Sequence, residues 1–315
     1  MAIDFDCQRR VCRMILVTGA SGLLGSSVLL RALEMQKEVV GIYNRYPFRP
    51  SGAAGHSVDL TDLNATRTAV ATLRPSTIIH CAAATNVDWC EEHVKEADCI
   101  NVSASSFLAQ LANEINAKLL YVSTDSVFDG THGHYSETDL PSPLNVYAQT
   151  KLLAEQEVQR AHSSALIVRV NFYGRNVQPK QSLAEWVLDQ LRQGKPVPGF
   201  TDVYFCPILV NDLAAIILEM VDGDLSGIYH VVGAEKVSKY EFARRLATTF
   251  GLNPAQVAPS KIADAQLRAR RPRDTSLNTE KISRALGRPM PGVDSGLQRF
   301  HAVCESERVQ KLQSC

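Results

Sequence analysis

The sequence predicts an α/β fold with a doubly wound parallel sheet and a smaller C-terminal α/β region. Short apolar runs alternate with longer amphipathic segments through the first half of the chain, and residues 14–17 are the first such run. Strands that are apolar on both faces and separated by helices are typical of a parallel sheet covered on both sides. A glycine-rich turn at residues 18–25 joins the first strand directly to the first helix. This order of elements indicates a Rossmann-like fold.

The composition excludes several classes of protein. The 315 residues are 45% hydrophobic and include 33 basic and 33 acidic side chains. The formal net charge is therefore zero, which does not favour nucleic-acid binding. No run approaches the ~18 apolar residues of a membrane span. The eight cysteines form no Cys-x-x-Cys pair, so we expect no metal site and a reducing, cytoplasmic location. Residues 1–13 are too short and polar for a signal peptide and are predicted to be a flexible leader.

The individual elements follow from periodicity and from breakers such as Pro75. The predicted strands are residues 14–17, 38–43, 77–81, 118–122 and 165–170. The predicted helices of this half are residues 23–35, 62–73, 91–116 and 144–161. After Tyr173 the pattern becomes less regular, with helices predicted at residues 182–193, 211–221, 239–250 and 279–286. We therefore expect a Rossmann domain at 14–172, a second region at 173–300 that returns some elements to the sheet, and a polar tail at 301–315.

The turn after the first strand has the spacing Gly-x-x-Gly-x-x-Gly, formed by Gly19, Gly22 and Gly25. Glycine permits a tight turn, a close approach of backbone to a pyrophosphate and close packing of helix on strand. The following helix presents free N–H groups to an anion. Ser21, Leu23 and Leu24 complete the predicted phosphate site. The alternative is a glycine-rich turn without a ligand, which the strand–turn–helix context disfavours.

The end of the second strand carries Asn44 and Arg45 where an NAD-binding site would have a carboxylate. An arginine at this point suits a 2′-phosphate. The sequence therefore favours NADP(H), with NAD(H) possible. The alternative is that Arg45 is only a solvated loop charge.

Tyr147 and Lys151 are four residues apart near the start of a predicted helix, so they share one face. A phenol with a reference pKa of ~10 exchanges protons more readily when a neighbouring cation favours the phenolate. Thr124 and Asp125 follow the central strand, where a doubly wound sheet places its ligand crevice. Thr124 is positioned to hydrogen-bond a carbonyl group or the tyrosine oxygen. By itself the Tyr-x-x-x-Lys pattern is common by chance.

Four stretches together resemble the extended short-chain dehydrogenase/reductase family, and within it the dTDP-4-dehydrorhamnose reductases. They are residues 18–25, 81–88, 123–130 and 143–151, and the likeness extends over about residues 14–300. The resemblance implies that Thr124, Tyr147 and Lys151 are catalytic. It places Gly22, Leu23 and Leu24 on the pyrophosphate, Asp59 and Leu60 near the adenine, and Ala82, Ala83 and Ala84 beside a ribose. Thr124 and Asp125 would also contact the sugar, and Phe172 would replace a tryptophan that the family carries.

The resemblance implies NADPH-dependent reduction of a 4-keto nucleotide sugar, with Tyr147 as the proton donor and region 173–300 binding the substrate. Two alternatives stay open. One is an epimerase or dehydratase of the same family, for which Asp125 would supply an acid. The other is an NADP-binding regulatory protein similar to the β subunit of methionine adenosyltransferase. A homodimer is possible through the helices predicted at 91–116 and 144–161.

For most of the other charged residues and histidines, the sequence favours a structural role over a functional one. His132 and His134 are expected on a surface loop, and His80 is expected to be a hydrogen-bonded core histidine. Asp88, Glu91 and Glu92 are interpreted as acids in the first turn of a helix. The arginines of residues 268–273 either face a substrate diphosphate or form a solvated loop.

Overall fold

The computed structural model describes residues 14–313, and side chains through residue 306. Its centre is a seven-stranded parallel sheet, which confirms the predicted fold class. The strands in sheet order are β11 (Gly227–His230), β6 (Leu166–Val170), β5 (Lys118–Thr124), β4 (Thr77–His80), β1 (Ile15–Thr18), β2 (Val39–Tyr43) and β3 (Ala54–Ser57). The order reverses between β1 and β4, so the ligand crevice of a doubly wound sheet is expected at the carboxyl ends of these two strands.

Helices cover both faces of this sheet. Those of the first half are α1 (Leu23–Glu34), α2 (Leu63–Leu73), α3 (Val87–Glu92), α4 (Val94–Asp98), α5 (Ala104–Glu114) and α6 (Val146–Ala161). Asp62 caps α2 and Asn145 caps α6, each accepting hydrogen bonds from backbone N–H groups of the first turn. One apolar cluster joins the sheet to α1, and a second joins the opposite face to α5 and α6. These two clusters fix the positions of the strands, and so of their carboxyl ends, relative to one another.

The second half adds a smaller α/β region with its own apolar core. Its helices are α7 (Leu183–Arg192), α8 (Val210–Asp222), α9 (Lys239–Thr249), α10 (Glu280–Leu286) and α11 (Val293–Gln313). Its strands are β7 (Phe172–Tyr173), β8 (Val197–Phe200), β9 (Tyr204–Phe205), β10 (Ile208–Leu209), β12 (Val237–Ser238) and β13 (Val257–Ser260), which pair as β7–β10, β9–β12 and β8–β13. β11 and α8 return to the main sheet, where α8 packs against α1.

The structure differs from the sequence prediction at three places. The helix predicted at 91–116 is divided, because His93 leaves the helical region at φ −127° and residues Cys99–Ser103 form a π-helical turn. β3 was not predicted, since its four residues include only one apolar side chain other than glycine. Residues 301–313, predicted as a polar tail, continue α11. The predicted leader, 1–13, lies outside the described residues. Within the described part of the chain, no helix is both long and apolar enough to cross a bilayer.

Candidate active site

The glycine turn lies between β1 and α1 and is shaped for close backbone contact. Gly19 has φ +63°, and a Cβ at this position would lie 2.7 Å from the amide nitrogen of Ala82. A Cβ on Gly25 would lie 2.1 Å from the carbonyl oxygen of Gly19. The N-cap residue of α1 is Gly22, which has no side chain to cap the first turn. Its N–H groups are thus available to an anion, as a pyrophosphate requires.

Asn44, Arg45 and Asp59 converge at the carboxyl end of β2. Asp59 accepts hydrogen bonds from the amide and hydroxyl of Thr61, which hold the pKa of its carboxyl below the ordinary value. Asn44 hydrogen-bonds the same carboxyl and the Arg45 charge acts in the same direction. Arg45 itself is exposed. The arrangement provides a carboxylate, an amide and a cation at the edge where an adenosine moiety would lie.

Ala82, Ala83 and Ala84 follow β4 directly opposite the glycine turn, and Asn101 fixes their position. The Asn101 side chain accepts from the Ala84 amide at 2.8 Å and donates to the Thr150 hydroxyl at 2.9 Å. Asn101 is fully buried on the π-helical turn. No sequence motif identified this residue. Its only signal was a polar side chain within an otherwise apolar helical pattern.

Thr124, Tyr147 and Lys151 meet at the carboxyl end of β5. The Thr124 hydroxyl hydrogen-bonds the Tyr147 oxygen, and the Lys151 ammonium donates to the Val122 carbonyl at 2.7 Å. Burial raises the pKa of Tyr147 to about 12, although the bond from Thr124 acts in the opposite direction. The lowering of the tyrosine pKa by Lys151 stays a prediction, because here the Lys151 ammonium donates to the Val122 carbonyl. The phenol is fully protonated at neutral pH.

Lys151 is 2% exposed and lies over the ring of Tyr121, 4.1 Å from its centroid. Burial lowers the pKa of Lys151 to about 7, and the nearby Glu155 opposes that shift. Glu155 lies one helical turn further along α6 and forms a buried ion pair with Arg169 at 2.7 Å. This pair was not predicted from the sequence. An arginine inside an apolar strand and a glutamate four residues after Lys151 were the available signals.

Asp125 is 2% exposed and its carboxylate is saturated with hydrogen bonds. Asn171 and Thr275 each donate to Oδ2 at 2.6 Å, while Thr124 and Ser126 donate to Oδ1. Burial raises the pKa of Asp125, and the hydrogen bonds oppose that shift. The carboxylate therefore links β5, β6 and the C-terminal region beneath the catalytic side chains. Phe172 follows Asn171 and packs partly buried against the main core.

The arginine segment lies against α3. Arg271 donates to Asp88 at 3.1 Å, and Arg268 pairs with Glu92. A cleft of about 570 Å³ is lined by Arg270, Arg271 and Arg273 together with Asp129, Gly130, Thr131, Ser142 and Leu144. One guanidinium nitrogen of Arg271 is buried without a hydrogen-bond partner. The cleft thus presents cations beside the segment that follows β5.

The remaining sequence interpretations are mostly upheld. His80 is buried between the hydroxyls of Thr18 and Ser105, at 2.6 and 2.9 Å, and burial lowers its pKa to about 3. His132 and His134 are exposed on a loop. α3 begins earlier than predicted, so of the three acids in this segment only Asp88 lies in its first turn.

The fold and the site define a nucleotide-binding α/β protein of the extended short-chain dehydrogenase/reductase type. A family model described as "RmlD substrate binding domain" matches residues 13–305. The chain belongs to this family.

Three similar proteins give this family assignment its context. A probable low-salt glycan biosynthesis reductase of Haloferax volcanii is 33% identical over 292 residues, covering 91% of this chain and 97% of that protein. The β subunit of methionine adenosyltransferase 2 from Bos taurus is 33% identical over 278 residues, covering 86% and 81%. The dTDP-4-dehydrorhamnose reductase of Bacillus anthracis, solved in complex with NADP, has a TM-score of 0.80 at 27% identity, covering 91% and 98%.

Proposed function

We propose that the protein reduces a 4-keto nucleotide sugar with NADPH, in the manner of the dTDP-4-dehydrorhamnose reductases it resembles. One observation carries the proposal: Thr124, Tyr147 and Lys151 meet at the carboxyl end of β5, on the same edge of the sheet as the glycine turn. The family assignment and the NADP complex of the Bacillus anthracis relative support it. NAD(H) is the alternative cofactor.

The residues around the crevice fit the cofactor. The uncapped first turn of α1 would hold the pyrophosphate, the alanines after β4 would lie along a ribose, and Arg45 would bind the 2′-phosphate. NADPH supplies the hydride when bound. The chain supplies binding, orientation and the proton.

Tyr147 is suited to donate that proton. The phenol is protonated at neutral pH, but its raised pKa makes it a weak acid unless a cation lies close to it. Thr124 would orient the carbonyl of the substrate, since its hydroxyl already bonds the phenol. Lys151 would turn from the Val122 carbonyl towards the phenol and a ribose, and there its charge would ease loss of the proton.

The arginine cleft supports a nucleotide-sugar substrate. Guanidinium groups pair with phosphate through two parallel hydrogen bonds, and Arg270, Arg271 and Arg273 line this cleft. Asp125 argues for a reductase over a dehydratase. Its oxygens already accept four side-chain hydrogen bonds, so it holds the site together and is not free to act as a separate acid.

The test is direct. Purified protein is mixed with NADPH and enzymatically prepared dTDP-4-dehydro-6-deoxy-L-mannose, and the loss of reduced-nicotinamide absorbance is followed. The control substrate is dTDP-glucose, which has no keto group. Turnover with the keto-sugar alone supports the proposal. NADPH binding without consumption of the keto-sugar would refute this substrate assignment.

A second candidate function is regulatory, because the β subunit of methionine adenosyltransferase 2 is as similar in sequence as the reductase from Haloferax volcanii. The protein would then bind NADP without turnover and associate with a catalytic adenosyltransferase. Size-exclusion chromatography with the methionine adenosyltransferase of the same source organism tests this. Co-elution together with absent turnover would favour the regulatory function, and separate elution would refute it.

A further inference from the structure

The loop between β7 and α7, residues 174–182, is closed at its base. The hydroxyl of Ser182 donates to the Gly174 carbonyl at 2.6 Å, which joins the two ends of the loop. The Glu185 carboxylate, in the first turn of α7, accepts from the amides of Asn176 and Ser182 at 3.1 and 2.9 Å. A compact loop whose ends lie close together presents its tip as a unit, and such loops are frequently functional. The tip of this loop consists of residues 178–180.

The tip of the β7–α7 loop reaches both walls of the cofactor crevice. The Gln178 side-chain amide donates to the Ser21 hydroxyl, in the glycine turn, at 3.0 Å. The Lys180 ammonium donates at 3.0 Å to the hydroxyl of Thr85, which follows the alanines after β4. These walls belong to β1 and β4, between which the strand order reverses. The loop therefore crosses the crevice at the point where a doubly wound sheet binds its ligand.

Neither contact uses the full strength of its donor. A hydroxyl oxygen is neutral, whereas a hydrogen bond to a phosphate oxygen is charge-assisted and roughly twice as strong. Lys180 is exposed, so its ammonium gains little from a hydroxyl that water would not also give it. Gln178 lies against Ser21, which is 6% exposed although it belongs to the predicted phosphate site. A pyrophosphate in the glycine turn would lie beneath the loop tip and offer both donors a charged acceptor.

We propose that the β7–α7 loop closes over bound NADP(H), and that its Lys180 and Gln178 side chains donate hydrogen bonds to the pyrophosphate. The hydroxyls of Thr85 and Ser21 hold these two donors at the crevice before the cofactor binds. The inference rests on the proposed NADPH-dependent function and extends it to the residues that retain the cofactor. Lysine acts on phosphate as a point charge, which complements the backbone N–H groups that the glycine turn provides.

The experiment compares Lys180→Met with Lys195→Met. Lys195 is exposed just beyond the other end of α7, so this control removes the same charge about 15 Å of helix away from the loop. Nucleotide fluorescence measures the dissociation constant of NADPH, and calorimetry measures that of 2′-AMP, which carries the 2′-phosphate but no pyrophosphate. We expect Lys180→Met to weaken NADPH binding roughly tenfold, as the loss of one charge-assisted hydrogen bond implies, and to change 2′-AMP binding less than about twofold. Lys195→Met should change neither.

The rate of cofactor release gives a second readout, measured by stopped-flow fluorescence. Because a group that closes over a bound ligand slows its release, Lys180→Met should raise the dissociation rate constant of NADPH roughly tenfold and leave the association rate constant within about threefold. Lys180→Arg should restore most of the affinity. Slower association with unchanged dissociation would indicate long-range attraction without contact and would overturn the proposal. Unchanged NADPH affinity in Lys180→Met, or an equal loss for 2′-AMP, would also overturn it.

The same measurements separate this inference from the proposed function. A wild type that does not bind NADPH would refute both together. If Lys180→Met weakens NADPH as expected but the wild type turns over no keto-sugar, the loop assignment is supported and only the reductase activity is refuted. If the wild type reduces the keto-sugar and Lys180→Met binds NADPH normally, only the loop assignment is refuted.

Discussion

Glu155 and Arg169 form an ion pair whose side chains are 3% and 2% exposed, directly behind the catalytic helix. Ser123 also hydrogen-bonds Glu155, and Arg169 lies over the ring of Phe128. Glu155 is the larger of two groups that oppose the lowering of the Lys151 pKa, so the buried pair acts on a side chain of the candidate site.

Removing one partner should be costly. Glu155→Gln leaves Arg169 buried without a counter-charge, so the free energy of unfolding should fall by about 3–5 kcal/mol. Urea unfolding followed by circular dichroism measures it. The control is Arg31→Ala, which removes an exposed pair on α1 and should cost less than about 1 kcal/mol. Equal effects of the two substitutions would contradict the interpretation.

The two buried histidines should make stability depend on pH. Burial lowers the pKa of both His80 and His230 to about 3, so the folded state keeps them neutral while the unfolded state gains protons below pH 6.5. Stability from each is therefore present above pH 6.5 and is lost as the pH falls towards 3. The slope is about 1.4 kcal/mol per pH unit for each group. His80→Gln should reduce the slope of unfolding free energy between pH 4 and 6 by about that amount, and an unchanged slope would refute it.

Alanine at Gly25 should damage the glycine turn, although alanine favours helix. Its Cβ would lie 2.1 Å from the Gly19 carbonyl, so the turn must shift and the phosphate site with it. We expect NADPH affinity to fall more than about tenfold, measured by nucleotide fluorescence. Gly223→Ala is the matched control, because its nearest neighbouring atom would be 3.6 Å away. Normal NADPH binding by Gly25→Ala would show that the turn does not hold the cofactor.

Arg45 should set the choice of cofactor. Arg45→Ala removes the exposed cation beside Asp59 and should weaken NADPH roughly tenfold while leaving NADH nearly unchanged. The ratio of the two dissociation constants is the measurement. Equal loss for both nucleotides would show that Arg45 does not contact the 2′-phosphate.

Much of the sheet could be predicted from the sequence, because its strands are apolar on both faces. The first five predicted strands all belong to the seven-stranded sheet. β3 was not predicted from the sequence, since its residues are mostly exposed and its formation depends on pairing with β2. One continuous helix was predicted at residues 91–116, because hydrophobic periodicity does not reveal the break at His93 or the π-helical turn around Asn101.

The candidate site was predicted where motifs are contiguous in sequence and missed where they are not. The glycine turn and the Tyr147–Lys151 pair follow from local spacing. Asn171 and Thr275 reach Asp125 only through the tertiary fold, so no local pattern identified them. The pKa of Tyr147 could not be predicted from the sequence either, because it depends on burial and on where the Lys151 ammonium points.

The most direct test of the central claim is the turnover of Tyr147→Phe, measured as NADPH oxidation with dTDP-4-dehydro-6-deoxy-L-mannose in a preparation whose NADPH affinity is measured in parallel. Loss of the phenolic proton donor should lower kcat at least ~10²-fold while NADPH binding is kept. Wild-type turnover by Tyr147→Phe would contradict the assignment of Tyr147 as the proton donor.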